Sequence, residues 1–146
     1  MKVLLQRVSQ ARVEVQGDIV GEIGHGLLIL VCAEPLDTDS VSQRMIDKII
    51  KLRIFEDEHG KMNRSVLDVE GELLIVSQFT LVADTARGNR PSYTNAAPPD
   101  LARSLYNTFV TQSRLTGLRV ATGQFAAHMA VSLVNDGPVT IPIALS

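Results

Sequence analysis

The sequence predicts a mixed α/β domain in which mixed sheets carry two helices on one side, with residues 1–146 forming a single unit. Three observations lead there. Short alternating apolar runs crowd both ends of the chain, two stretches of helical periodicity lie between them, and a continuous apolar run marks a covered sheet centre. A chain of 146 residues holds one real core but is too short for separate catalytic and binding domains.

In the first third, Val3 and Leu5 and then Val13 and Val15 alternate with polar neighbours, as on a strand with one buried face. Gly17-Asp18 is a turn signal, and Ile19 to Ile23 reads as the next strand. Leu27 to Ala33, bounded by Gly26 and Glu34-Pro35, suits a strand buried on both faces. Asp37, Thr38 and Asp39 offer helix-start chemistry, after which Val41, Met45, Ile49 and Leu52 fall on one helical face. Ile54-Phe55, the Asp57-Glu58-His59-Gly60 turn and a short segment near Met62 to Val66 lead to a buried strand, Leu73 to Val76. It runs directly into Ser77-Gln78-Phe79-Thr80. Ala83 to Pro99 reads as loop. Pro99 then suits the first turn of a second amphipathic helix carrying Leu101, Leu105 and Phe109, which Gly117 stops. Leu118 to Thr122 and His128 to Val134 read as strands, and Asn135-Asp136-Gly137-Pro138 reads as a hairpin turn feeding Val139 to Leu145.

Composition narrows the function. Lys+Arg total 14 against 16 Asp+Glu, a net charge of −2, which argues against coating nucleic acid or an anionic membrane by bulk charge. Aromatics are only 4% and tryptophan is absent, which argues against a broad platform for stacking successive bases. The single cysteine, Cys32, rules out a disulfide framework within the chain and a cysteine-based zinc cluster, and its apolar surroundings suit an inert thiol better than a nucleophile. No stretch approaches the roughly 20 apolar residues of a membrane span, and the amino terminus lacks the pattern of a signal peptide, so the expectation is a cytoplasmic protein with no membrane partner.

The common catalytic signatures are absent: no Gly-x-Ser-x-Gly, no His-Glu-x-x-His, no phosphate loop and no dinucleotide fingerprint. His25, His59 and His128 fall in a turn, a turn and a strand without metal-ligand spacing, so neither a metal nor any other cofactor is expected. Two segments stand out. In Ser77-Gln78-Phe79-Thr80-Leu81, two hydroxyls and an amide emerge from an apolar strand, either to cap the next turn or to form a site. In Asn135-Asp136-Gly137-Pro138-Val139-Thr140, the Gly-Pro unit suits an ordinary turn and also admits a cis bond at modest cost. Spacing leaves both alternatives open.

The two segments occur alongside Gln6-Arg7-Val8, Gly21-Glu22-Ile23-Gly24, Arg53-Ile54-Phe55 with Gly60-Lys61-Met62-Asn63, Arg90-Pro91-Ser92-Tyr93, and Gly123 with Phe125-Ala126. In that order the whole chain resembles the D-aminoacyl-tRNA deacylase family, and the Ser-Gln-Phe-Thr quartet resembles its D-specific branch. The resemblance implies a three-layer β/β/α sandwich. It also implies hydrolysis of the ester joining a D-amino acid or glycine to the tRNA 3′ end, within a homodimer whose active sites lie at the subunit interface. Ser77, Gln78, Phe79 and Thr80 would form the catalytic segment, and Gly137-Pro138 would be a cis pair entering the partner's site to exclude L side chains.

Physical reasoning fits that scheme. An enzyme that reads handedness but ignores side-chain identity needs contacts to the shared amino, α-hydrogen and carbonyl groups, which fixed backbone atoms supply. Arg7 is a candidate clamp for the Gly-Pro loop, or else a solvated strand residue. Thr80 lacks a neighbouring base in its motif, which favours attack by water over an acyl-enzyme. Phe125 is a candidate neighbour of the terminal adenine, with core packing as its other reading, and Arg87 and Arg90 are candidate grips on the tRNA end. Two other functions remain open: a non-catalytic RNA-end or protein-binding domain, and a general small-ester hydrolase using Thr80 or Cys32.

Overall fold

The computed structural model describes residues 1–146. Strand β1 (Lys2–Val15), β2 (Asp18–Ile23) and β3 (Gly26–Cys32) are followed by α1 (Asp39–Lys51), the short strands β4 (Phe55–Glu56) and β5 (Met62–Arg64), and β6 (Glu72–Ser77). A 3₁₀ turn (Phe79–Val82), α2 (Pro99–Arg114), β7 (Val120–Thr122) and the 15-residue β8 (Ala130–Ala144) complete the chain.

One six-stranded sheet runs β2-β1-β3-β6-β7, with β8 also paired to β1, and it folds back on itself. The odd residues of the central strands, Leu27, Ile29, Val31, Leu73 and Ile75, face α1 and α2 in the larger core. The even ones, Leu28, Leu74 and Val76, face a second core with Val8, Ala11, Val13 and Ile23. Helices, central sheet and folded-over sheet thus make three layers, β/β/α.

The fold-over happens within β1. Val3 and Leu5 belong to the helix-side core, whereas Ala11 and Val13 belong to the other one, although strict alternation would put all four on one face. The alternation of Val3, Leu5, Val13 and Val15 in the sequence therefore spans two cores. Val8 and Ala11, three apart, face the same core, so the exposed pair Ser9-Gln10 contains one residue too many. The pairing of β1 with β8 shifts register there, as at a β-bulge, and the strand turns a corner. Close approach of backbones requires glycine at two points: a Cβ at Gly21 would sit 2.2 Å from the Thr122 carbonyl oxygen, and one at Gly26 would sit 1.9 Å from that of Glu72 on the neighbouring strand.

The hairpin expected at Asn135–Thr140 does not form. Residues on both sides of it pair with the same strand, Ala130 to Asn135 with Glu14 to Val8 and Thr140 to Ala144 with Gln6 to Lys2. Between the pairs Val8–Asn135 and Gln6–Thr140, β8 takes five steps where β1 takes two, so the extra residues loop out as a wide bulge. Turn-forming residues gave the local signal, but pairing to a common neighbour decided the topology. His128 also precedes β8 instead of lying in a strand.

The helices follow the expected logic. The Thr38 side chain accepts the Val41 N–H at the start of α1, with Asp39 in the first turn and Lys48 and Lys51 in the last. Pro99 occupies the first turn of α2. The two helices are tied where the Ser42 hydroxyl donates to Gln112 Oε1 at 2.6 Å. No helix is long and apolar enough to cross a membrane.

Candidate active site

β6 is buried from Leu73 to Val76, and its ladder with β3 ends at Ser77. The Gln78 N–H still donates to the Val31 carbonyl, and the chain then tightens into the 3₁₀ turn that begins at Phe79. Phe79 and Thr80 lead that turn, where N–H groups have no carbonyl within the turn to bond. The Gln78 amide donates to the Thr80 hydroxyl at 2.6 Å, which fixes both side chains.

Ser77, Gln78 and Phe79 open onto a cavity of about 770 Å³, and 17 of its 23 lining residues are hydrophobic. Phe125, Tyr106 and Tyr93 share its wall; Thr80 does not. Phe79 is 54% exposed and meets Tyr93 edge-on at 5.1 Å, so its ring belongs to the cavity mouth and not to a core. Phe125 is half-buried, lies 5.6 Å from Tyr106, and has the Arg103 guanidinium 4.7 Å above its ring. The buried Tyr106 hydroxyl donates to the Ile75 carbonyl at 3.0 Å, and burial pushes its pKa up to about 12. The phenol therefore stays neutral and structural at physiological pH.

Cys32 also lines the cavity, with its thiol 3.5 Å from the Phe79 carbonyl. Burial first, and then the neighbouring Glu34 carboxylate, push this thiol up to about 11, so little thiolate is present near neutrality. Arg87 and Arg90 are exposed on the Ala83–Pro98 loop and make no salt bridge; Tyr93 and Thr94 of the same loop reach the cavity wall. His128 lines the wall as well, a position hidden from the sequence because its neighbours read as strand.

The second candidate group lies at the corner of β1. Arg7 is buried, which sets aside the reading of a solvated strand residue. Its Nη1 donates to the Ile54 carbonyl at 2.6 Å and its Nε to the Asp136 carbonyl at 2.9 Å. The Asp136 carboxylate lies 3.5 Å from Arg7 Nε and 3.8 Å from His25 Nε2, and the His25 ring meets Phe55 edge-on at 5.2 Å. The next peptide, Gly137–Pro138, is cis. Gly137 has φ +137°, and a Cβ there would come within 2.9 Å of Val139 N and 3.3 Å of Arg7 Nη2. Across the bulge, the Thr140 hydroxyl bonds to the Gln6 side chain. The pairing of His25 with Asp136 is what the sequence did not show, because the two lie far apart in the chain.

The structure therefore brings Ser77, Gln78, Phe79 and Phe125 around one cavity, and Arg7 with Gly137 around another feature. No residue of the bulge lines that cavity. No group of three or more His, Cys, Asp or Glu side chains is placed to hold a metal ion.

Known proteins resemble this chain along nearly its whole length. The family described as D-Tyr-tRNA(Tyr) deacylase matches residues 4–144. A D-aminoacyl-tRNA deacylase of Polaromonas naphthalenivorans (strain CJ2) is 58% identical over 100% of this chain and 98% of its own. One from Paracidovorax citrulli (strain AAC00-1) is 61% identical over 98% of this chain and 92% of its own. A solved structure described as c-Myc DNA Unwinding Element Binding Protein aligns with a TM-score of 0.94 and 41% identity, covering 100% of this chain and 99% of its own. A probable eukaryotic D-amino acid tRNA deacylase shares the fold, with a TM-score of 0.87, 18% identity and 97% coverage of each chain.

Proposed function

The chain belongs to the D-Tyr-tRNA(Tyr) deacylase family and is an ester hydrolase, a D-aminoacyl-tRNA deacylase; from that premise we propose how it distinguishes its substrates. The Ser77–Thr80 segment holds the ester, and Gly137-Pro138 of a second copy of the chain screens the α-carbon. The observation that carries this reading is the separation of the two groups. The bulge is clamped by Arg7 through the Asp136 carbonyl and leaves Gly137 and Pro138 exposed, yet it lines no part of its own chain's cavity. A homodimer with sites at the interface supplies the missing wall.

Main-chain atoms of the bulge meet the amino group and leave no room for an L side chain, whereas a D side chain points away. Glycine has no side chain to exclude, so its ester passes the same filter. The N–H groups that lead the 3₁₀ turn polarise the ester carbonyl, each good donor contributing on the order of 3 kcal/mol to the transition state. Gln78 and Ser77 position ester and water. The substrate's own 2′-hydroxyl helps activate that water.

Neither rival nucleophile has support. The Thr80 hydroxyl accepts from the Gln78 amide, and an amide NH₂ takes no proton from it. Cys32 is held neutral by burial. A binding-only reading finds an echo in the solved relative described as binding a DNA unwinding element. One assay separates these: purified protein is incubated with matched D-, L- and glycyl-tRNA. Rapid release of D-amino acid and glycine with the L ester spared is expected. No release from any substrate refutes the deacylase reading, and release from all three refutes the gate.

A further inference from the structure

The cavity mouth carries a cation that the ester chemistry leaves unused. Arg103 lies on the exposed face of α2, next to Ala102 of the cavity wall, with its Cζ 4.7 Å from the centroid of the Phe125 ring. Phe125 packs on Tyr106, and Tyr106 is anchored to the Ile75 carbonyl in the core strand. A row of planes thus leads from β6 out to the guanidinium and fixes its place.

Arg7, Arg12 and Arg119 each have a carboxylate partner, and Arg44 and Arg64 donate to backbone carbonyls. Arg103, like Arg53, Arg87, Arg90 and Arg114, makes no salt bridge and no side-chain hydrogen bond, but among these five it alone is held over an aromatic ring. A guanidinium held over a ring in this way satisfies none of its N–H donors, and its planar fork suits bidentate contact to phosphate oxygens. The cavity beside it is lined mainly by hydrophobic side chains, so an anion entering it unpaired would meet a large desolvation cost. A nucleotide ester placed in that cavity must leave its phosphate at the rim.

We propose that Arg103, braced on Phe125, binds the phosphodiester that joins the terminal nucleoside of the substrate to the preceding nucleotide. The proposal rests on the deacylase reading and extends it: the enzyme grips one phosphate beyond the acylated nucleoside. In a chain of net charge −2, a single well-held cation gives local purchase where bulk attraction is absent.

The test compares wild type, Arg103→Ala and Arg103→Lys on D-tyrosyl-tRNA and on the D-tyrosyl ester of adenosine, which has no phosphate. In Arg103→Ala, the ratio of kcat/KM on tRNA to that on the adenosine ester is expected to fall about fivefold to twentyfold. The slope of log(kcat/KM) on tRNA against log salt becomes shallower by about 0.7, one phosphate contact on a single strand. Arg103→Lys keeps the wild-type slope. An unchanged ratio, or an unchanged slope in Arg103→Ala, overturns the proposal and leaves Arg103 as packing for Phe125. If the adenosine ester turns over too slowly to measure, the slope on tRNA decides. Wild type that cleaves neither substrate is a different failure, that of the deacylase reading itself.

Discussion

The Ser77–Thr80 segment and the Asn135–Thr140 bulge solve the presentation of polar groups in opposite ways. The first is the end of a buried strand, where the polar groups are those left over when a ladder stops and a 3₁₀ turn begins. The second interrupts a ladder that resumes on the same neighbour, and a buried arginine holds it open. One segment offers side chains and N–H donors to a cavity. The other offers main chain at a position that tolerates little beyond glycine. Under the proposed roles, chemistry and selection rest on separate contacts, so a substitution at one segment is expected to leave the other in place.

Gly137→Ala is expected to have the largest effect. Its Cβ meets Val139 N at 2.9 Å and φ +137° is hostile to an L side chain, so the bulge must move. Displacement of about 1 Å at a positioning element costs on the order of 100-fold, and that loss in D-over-L discrimination is the expected outcome. Paired D- and L-aminoacyl-tRNA kinetics check it, with circular dichroism showing a retained fold. Arg7→Ala comes next. It strips the Ile54 and Asp136 carbonyls of their donor at a buried position, which is expected to lower stability by roughly 2–4 kcal/mol in urea unfolding and to loosen discrimination.

Thr80→Ala sharpens the other half. Thr80 holds Gln78, and if water rather than Thr80 attacks the ester, about a tenfold fall in kcat is expected, with D-over-L preference intact and no covalent adduct by mass spectrometry in wild type. Cys32→Ala should change activity least, by about twofold at most. Its effect appears in stability against pH. The folded-state pKa of Cys32 is raised to about 11 from an ordinary 9.0, so the unfolded chain releases this proton first. Stability from this group is full below pH 9 and declines as pH rises toward 11. Cys32→Ala flattens the urea midpoint over that window, and the further decline from Tyr106 begins above about pH 10.

Much of this was legible in the sequence. Both helices show in their periodicity, and β3 and β6 show as unbroken apolar runs, because a strand covered on two faces needs no alternation. The Ser77–Thr80 segment shows for the same reason in reverse: polar residues directly after such a run mark where covering ends. The corner in β1 was illegible. A bulge shifts one residue against a partner more than a hundred positions away, and alternation read along one strand cannot register it. The same blindness turned Asn135–Thr140 into a hairpin, hid the pairing of His25 with Asp136 and left Arg103 unremarked, since the partners come from other elements.

The count of five steps against two also has a meaning in terms of length. The bulge is a strand three residues too long for its neighbour, and both flanking ladders keep their faces. Removing three residues would leave two steps on each side, close the ladder and preserve which side chains point inward. A length mismatch between two strands is thus what presents the Gly137-Pro138 main chain, and one insertion or deletion can create or erase it, while most substitutions around it merely adjust the fit.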